Sequence, residues 1–367
     1  MEKCISYEKA ALFTKNDTLL VKGVAIILLL FHHLFLTEDL VIAYDLKFML
    51  LSGSMIQILA IMARICVWIF VFLSAYGLTI QYESWKKGNV HFVIDKWLSL
   101  ISSFWLPFMF VFISYGILVQ DPMSLYINIP NAVFDFLGIS DFFHTPTLTG
   151  SWWYMCFAQV LILLIPFCYY ICKKWGWYTY LIIFLSLQYL SGGLLSSYGG
   201  LYSQYYLTIV LGVLCAQSRT FEVILKRPKS RIEKMVQIVI EVLLISGGLL
   251  LKYTIMNNDN WQISSVLSSV IVFNLCLLMR EYFQIDILKK CLVFLGKHSG
   301  NMFMIHHFLY TFIPQWIFWS KNAVISFLCL LFFSLLISII IEMVKSVIRY
   351  DYGIKKLRLI INGCIDR

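Results

Sequence analysis

Again and again this chain runs for about twenty residues with scarcely a charge, and that pattern restricts its fold more than any other feature. A helix needs roughly 20 mostly apolar residues, at about 1.5 Å rise each, to cross the hydrocarbon of a bilayer. Inside that hydrocarbon every backbone polar group must be satisfied internally, so only helices and closed barrels span. Barrel strands are shorter and alternate in polarity, which these runs do not. With 60% hydrophobic and 13% charged residues, the chain is far from a soluble domain, which averages about 25% charged. The expectation is an all-α, polytopic integral membrane protein forming a single domain over 1–367. Its net charge of +9 is no nucleic-acid footprint, because the position of the basic residues accounts for it.

Ten spans are expected, at about 18–37, 61–80, 97–119, 152–172, 177–195, 203–217, 235–254, 262–279, 299–319 and 323–344. The first run is too long for a signal-peptide core and no small-residue cleavage site follows it, so it stays as a helix. The apolar stretch Phe48 to Ile58 reads as re-entrant or interfacial, Pro107 as a kink, and residues 120–150 as the longest polar connection, with Asp121, Asp135, Asp141 and His144. An even number of spans puts both termini on one side. That side then holds 25 of the 29 lysines and arginines, leaving Lys47, Arg64, Lys252 and Lys321 on the other. By the positive-inside rule both ends are cytoplasmic. Ten cysteines occur without CxxC or Cys/His spacing, and those in apolar runs read as small hydrophobes, so no structural disulfide is expected.

The first span, TLLVKGVAIILLLFHHLFLT, carries Lys22, His32 and His33. Ionisable groups in such a position are costly and usually functional. Lys22 and His33 are eleven residues apart, close to three turns, so they share a helix face about 16 Å apart along the axis, while His32 points roughly 80° away. Lys22 can equally snorkel to the interface, and His33 can be a packing histidine bonded to a neighbouring helix. A second adjacent pair, His306 and His307, recurs in the ninth span. Neighbouring helical residues diverge by about 100°, so such pairs do not easily share an ion, and no metal is expected.

Other polar groups have two readings each. Ser74 breaks the second span beside Tyr76 and Gly77, either as a packing device or as part of a site. Arg64, against the charge bias, either snorkels or faces an anion. Trp152 and Trp153, in SerTrpTrpTyr after the long connection, are interfacial belt residues or a stacking platform for a sugar ring whose hydroxyls Asp141 and its neighbours would accept.

Three blocks in order resemble the membrane-bound acyltransferase 3 family, the O-acyltransferases of cell-surface glycans. These are Lys22 through His33, VWIFVFLSAYGL (67–78) and FLGKHSGNMFMIHH (294–307), with TrpTrpTyrMet (152–155) similar to a further segment. The chain departs from that pattern where the family has Arg-x-x-Arg entering the third helix: here AspLysTrpLeuSerLeuIleSerSer (95–103) keeps only Lys96, and Ser-Gly is replaced by Ser74-Ala75.

The resemblance implies a multi-pass protein of the bacterial cytoplasmic membrane that moves an acyl group, expected to be acetyl, from cytoplasmic acetyl-CoA to a hydroxyl of a surface polysaccharide or its lipid-linked precursor. His33 would be the general base, since an imidazole with an ordinary pKa near about 6.5 suits proton transfer at neutral pH. Lys22, Lys96, Ser74 and Tyr76 would contact the acyl-CoA; Trp152, Trp153, Asp141, His306, His307 and Arg64 would contact the glycan. Two other classes fit the residues alone: a transporter or flippase of lipid-linked sugars without acyl-transfer chemistry, and a membrane sensor or scaffold.

Overall fold

The computed structural model describes residues 13–36, 38–48, 51–118, 122–126, 128–190, 200–226, 229–256, 261–283 and 285–365. Cys4, Asp121 and the polar stretch 257–260 lie outside them. Among the described residues every regular element is helical, and the one extended pairing is an isolated parallel bridge between Lys47 and Asn322. The principal helices are α1 (Lys15–Phe35), α2 (Gly53–Ala63), α3 (Cys66–Glu83), α4 (Gly88–Leu118), α5 (Ile129–Phe136), α6 (Trp153–Trp175), α7 (Tyr178–Leu190), α8 (Tyr206–Gln217), α9 (Thr220–Lys226), α10 (Arg231–Met256), α11 (Trp261–Glu281), α12 (Asp286–Phe312), α13 (Ala323–Val347) and α14 (Tyr350–Ile365).

Seven helical stretches among the described residues are long and apolar enough to cross a membrane; α8 and α9, bent by 57° against each other, would make an eighth. Of the ten expected spans, seven or eight are met among the described residues on length and composition. The other two differ from each other. The expected span 177–195 is described as helix over Tyr178–Leu190 and its remainder lies outside the described residues. The expected span 299–319 is interrupted: α12 ends at Phe312, and a separate short helix, Pro314–Phe318, follows the break at Ile313. Of the stretch 48–58, expected as re-entrant or interfacial, residues 53–58 belong to α2, which runs through a tight turn at Arg64 and Ile65 into α3, so that Gly53–Glu83 forms one apolar stretch. Pro107 sits inside α4, whose helix is continuous from Gly88.

The described residues form two compact units. The first takes its residues from Met1–Leu29, Ile58–Ser84 and Ile165–Lys297. Within it α1 and α12 approach so closely that a Cβ on Gly23 would land on the carbonyl oxygen of Leu292, and one on Gly296 on that of Leu19. Such reciprocal backbone contact is how small residues drive helix association in lipid, where apolar burial against apolar solvent gains little. An aromatic cluster of Phe13, Phe72, Tyr76 and Phe221 fills the space between α3 and α9. Helix α11 buries Ser264, Ser265, Ser268 and Ser269. Their hydroxyls are satisfied locally, as when Ser269 donates to the Ser265 carbonyl at 3.0 Å, and Ser268 takes a hydrogen bond from the buried Lys252 ammonium at 2.5 Å.

The second unit comprises Leu30–Gln57, Trp85–Leu164 and His298–Arg367. Its connection 122–150, expected to be a polar loop, is organised by one carboxyl. Asp135 is fully buried and accepts from the Tyr126 hydroxyl at 2.7 Å, the Ser140 hydroxyl at 3.0 Å and the Leu148 amide at 3.0 Å. Desolvation nevertheless dominates and raises its pKa above the ordinary carboxylate range, the hydrogen bonds pulling the other way. Asn128 caps α5 by accepting from the Asn131 amide at 3.0 Å. Farther on, Asn322 caps α13 by accepting from Val324 and Ile325, while His298 meets Ser338 at 2.9 Å and Asn301 donates to Glu342 at 2.8 Å. These last two pairs tie α12 to α13 and give a carboxylate inside an apolar run the partner it needs.

Candidate active site

The second unit gathers the histidines. His32 and His33 close α1, and His306 and His307 lie in the last two turns of α12. The His33 ring centroid is 4.9 Å from that of His306, and the His32 ring is 5.0 Å from His33. His32 is 5% exposed and His306 is fully buried, whereas His33 and His307 are half-buried. Helical geometry produces this split: adjacent residues point about 100° apart, so one member of each pair faces inward. Among the described residues no three His, Cys, Asp or Glu side chains are arranged to hold a metal ion.

The tautomer of His306 follows from its neighbour. Nδ1 lies 2.8 Å from the Phe303 carbonyl oxygen, and a carbonyl can only accept, so Nδ1 carries the proton. Nε2 is then a bare lone pair, buried and without a hydrogen-bond partner among the described residues. As the rings stand this lone pair accepts from no described group, the His33 ring included, and a rotation of His33 is needed to bring an N–H onto it. The aromatic rings of Phe303 and Tyr310 hold His306 at 6.0 and 6.2 Å between centroids.

Trp152 is tied to the helix that carries His306 and His307. Its indole Nε1 donates to the Met304 carbonyl at 2.9 Å, and its ring is packed by Phe104 edge-on at 4.9 Å and by Phe108 at 5.3 Å. At 1% exposure it has no face open to a sugar as the chain is packed here, so its position is that of a strut. Trp153 beside it is half-buried, with its ring 5.8 Å from Tyr154. Gly150 lies directly under His307: a Cβ there would stand 3.3 Å from His307 Nε2. Asp141 is half-buried in a short helix, Ser140–Phe143, of the same unit.

Lys96 belongs to this unit as well. Its ammonium pairs with Asp95 at 3.0 Å and lies 5.1 Å from the Trp85 ring centroid. The remaining expected site residues belong to the first unit. Lys22 is half-buried on α1, Ser74 is half-buried on α3, and Arg64 is half-buried at the turn before α3. Tyr76 is buried in the aromatic cluster, 5.7 Å from Phe13 and 5.6 Å from Phe221.

The four histidines stand out in the sequence, whereas Gly150 beside His307 does not, and the Asn301–Glu342 pair that ties α12 to α13 is marked only by a carboxylate inside an apolar run. Nothing in the spacing of Arg358 marks it, yet it pairs with Asp95 at 3.0 Å and donates to Ser99 at 2.6 Å. A family model described as an acyltransferase domain matches residues 20–343, nearly the whole chain. No curated protein and no solved structure matches it.

Proposed function

The chain belongs to the acyltransferase 3 family, and on that premise we propose that it is a membrane O-acetyltransferase, carrying an acetyl group from cytoplasmic acetyl-CoA to a hydroxyl of a cell-surface polysaccharide or its lipid-linked precursor. The observation that best supports this reading is the pairing of His33 with His306, 4.9 Å apart, one imidazole half-buried and the other sealed with a bare Nε2.

In the proposed reaction the His33 imidazole takes the proton of the acceptor hydroxyl as its oxygen attacks the thioester carbonyl. The tetrahedral intermediate collapses by breaking the carbon–sulfur bond, and the CoA thiolate leaves with the proton returned by His33. Positioned proton transfer of this kind is typically worth about 10²–10⁴-fold. His306 acts through His33: once the His33 ring rotates to present an N–H, the bare Nε2 lone pair accepts it and spreads the charge of the imidazolium. An acetyl group parked on His33 before transfer is chemically equivalent in outcome. Trp153, Asp141 and His307 are the groups proposed to meet the acceptor, with Trp152 bracing them. Lys96 is proposed to attract the phosphates of the donor.

The test is transfer itself. Membranes holding the chain are incubated with acetyl-labelled CoA and a glycan extract, beside membranes holding His33→Ala at equal abundance. Label in the glycan with the unaltered chain and its loss in the variant uphold the proposal. Movement of unmodified glycan across the membrane without label would favour the transporter instead.

A further inference from the structure

A cleft of about 650 Å³ opens in the second unit between the start of α4 and the C-terminal helix α14, well inside the range of small-molecule sites. Its wall is basic: Lys87, Lys345, Lys355 and Arg358 face two carboxylates, Asp95 and Asp351. Asp95 is already doubly matched, by Lys96 at 3.0 Å and by Arg358 at 3.0 Å. Lys87 and Lys355 form no ion pair among the described residues, so the surplus positive charge is theirs. The site is built rather than incidental. Arg358 is fixed to Ser99 at 2.6 Å, and Tyr350 donates to the Ser102 carbonyl at 2.8 Å. Trp85 supplies a ring in the same wall, and its indole Nε1 is buried without a hydrogen-bond partner among the described residues.

The cleft's place relative to the histidines constrains what fits it. Along α4, Ser99 is five residues from Phe104, about 7.5 Å of rise, and Phe104 packs on Trp152, whose indole is bonded to Met304 two residues before His306. From a ligand anchored on Arg358 the path to the imidazoles therefore runs through that rise along α4 and then sideways across Phe104 and Trp152 to α12. A compact acyl donor held there would be out of reach of His33. A donor whose phosphates and thioester are joined by a long flexible arm would not.

We propose that this cleft holds the phosphorylated nucleotide end of CoA, with Lys87, Lys355 and Arg358 on its phosphates and Trp85 or Tyr350 against the adenine. This rests on the reading of the chain as an acetyl-CoA-dependent transferase. Helix α14, which lies beyond the family-matched residues 20–343, thereby supplies guanidinium charge in the region where the third-helix arginines are missing from this sequence. The same phosphate-ester chemistry could be offered by an anionic lipid headgroup, since Leu359 and Ile360 on α14 are exposed, and the experiment separates the two sources.

Arg358 is spared, because removing it would also free α14. The full chain, unaltered and as Lys87→Gln/Lys355→Gln, is placed in nanodiscs of zwitterionic lipid. Binding of CoA and of CoA lacking its 3′-phosphate is then measured, with and without added phosphatidylglycerol, together with acetyl-transfer kinetics. The proposal expects the double variant to bind CoA and use acetyl-CoA with Kd and KM raised about tenfold at unchanged kcat, and to lose the preference for the 3′-phosphorylated form. Phosphatidylglycerol should leave CoA binding unaltered. Equal CoA binding by both proteins would overturn it, as would competition of phosphatidylglycerol with CoA in place of a nucleotide preference. Absence of transfer by the unaltered chain would instead defeat the acetyltransferase reading, while the binding arm still judges the cleft.

Discussion

Two buried groups in the second unit make opposite demands on their surroundings. His306 is sealed with Nδ1 committed to the Phe303 carbonyl, so its value to the site lies in one lone pair. Replacement by Phe keeps the ring and its packing but removes that lone pair. Acetyl transfer by His306→Phe should fall by at least about tenfold in kcat with KM for acetyl-CoA unchanged, as expected when a group that positions the reacting imidazole is lost; steady-state kinetics on equal amounts of folded protein reads this. Asp135 is buried at a cost, and burial holds its folded pKa above the ordinary value. The sign follows: stability that this carboxyl contributes is full below its unfolded pKa near about 3.9 and is lost as pH rises through the folded value. The difference in melting temperature between the unaltered chain and Asp135→Asn should therefore become less favourable to the unaltered chain from acid to neutral pH. A constant difference would refute the assignment.

At the scale of the helix, the contact between Gly23 and Leu292 with its mirror between Gly296 and Leu19 leaves no room for a side chain on either helix. Gly296→Leu is expected to reduce the amount of folded protein in the membrane severely, and Gly300→Leu, where a Cβ meets nothing within 4 Å, to leave it near normal; fluorescence-detected size exclusion compares them. Apolar runs in the sequence located most helices to within a few residues because hydrocarbon enforces both length and composition. They located α2 poorly, since Gly53–Ala63 only becomes part of a long apolar stretch once the turn at Arg64 joins it to α3. The connection 122–150 could not be read as structure at all. Its order comes from one carboxyl bonded to residues 9, 5 and 13 positions away, and such pairing leaves no periodic trace.

For the molecule as a whole, the histidine cluster was legible because ionisable residues in apolar runs are conspicuous, and the cleft beside α14 was not, because its cations belong to segments some 260 residues apart that look like ordinary basic flanks. The expected cytoplasmic placement of both termini has its own test in the native cysteines. Cys291 and Cys364 are exposed, so a membrane-impermeant maleimide should label neither in intact cells and both after permeabilisation; labelling of Cys364 from outside would reverse the topology. The claim on which the functional account turns is that His33 removes the acceptor's proton. The most direct test is the rate of acetyl transfer from labelled acetyl-CoA by His33→Ala at matched membrane abundance. The account predicts a loss of about 100-fold or more, with CoA binding retained, and a rate within about threefold of the unaltered chain would contradict it.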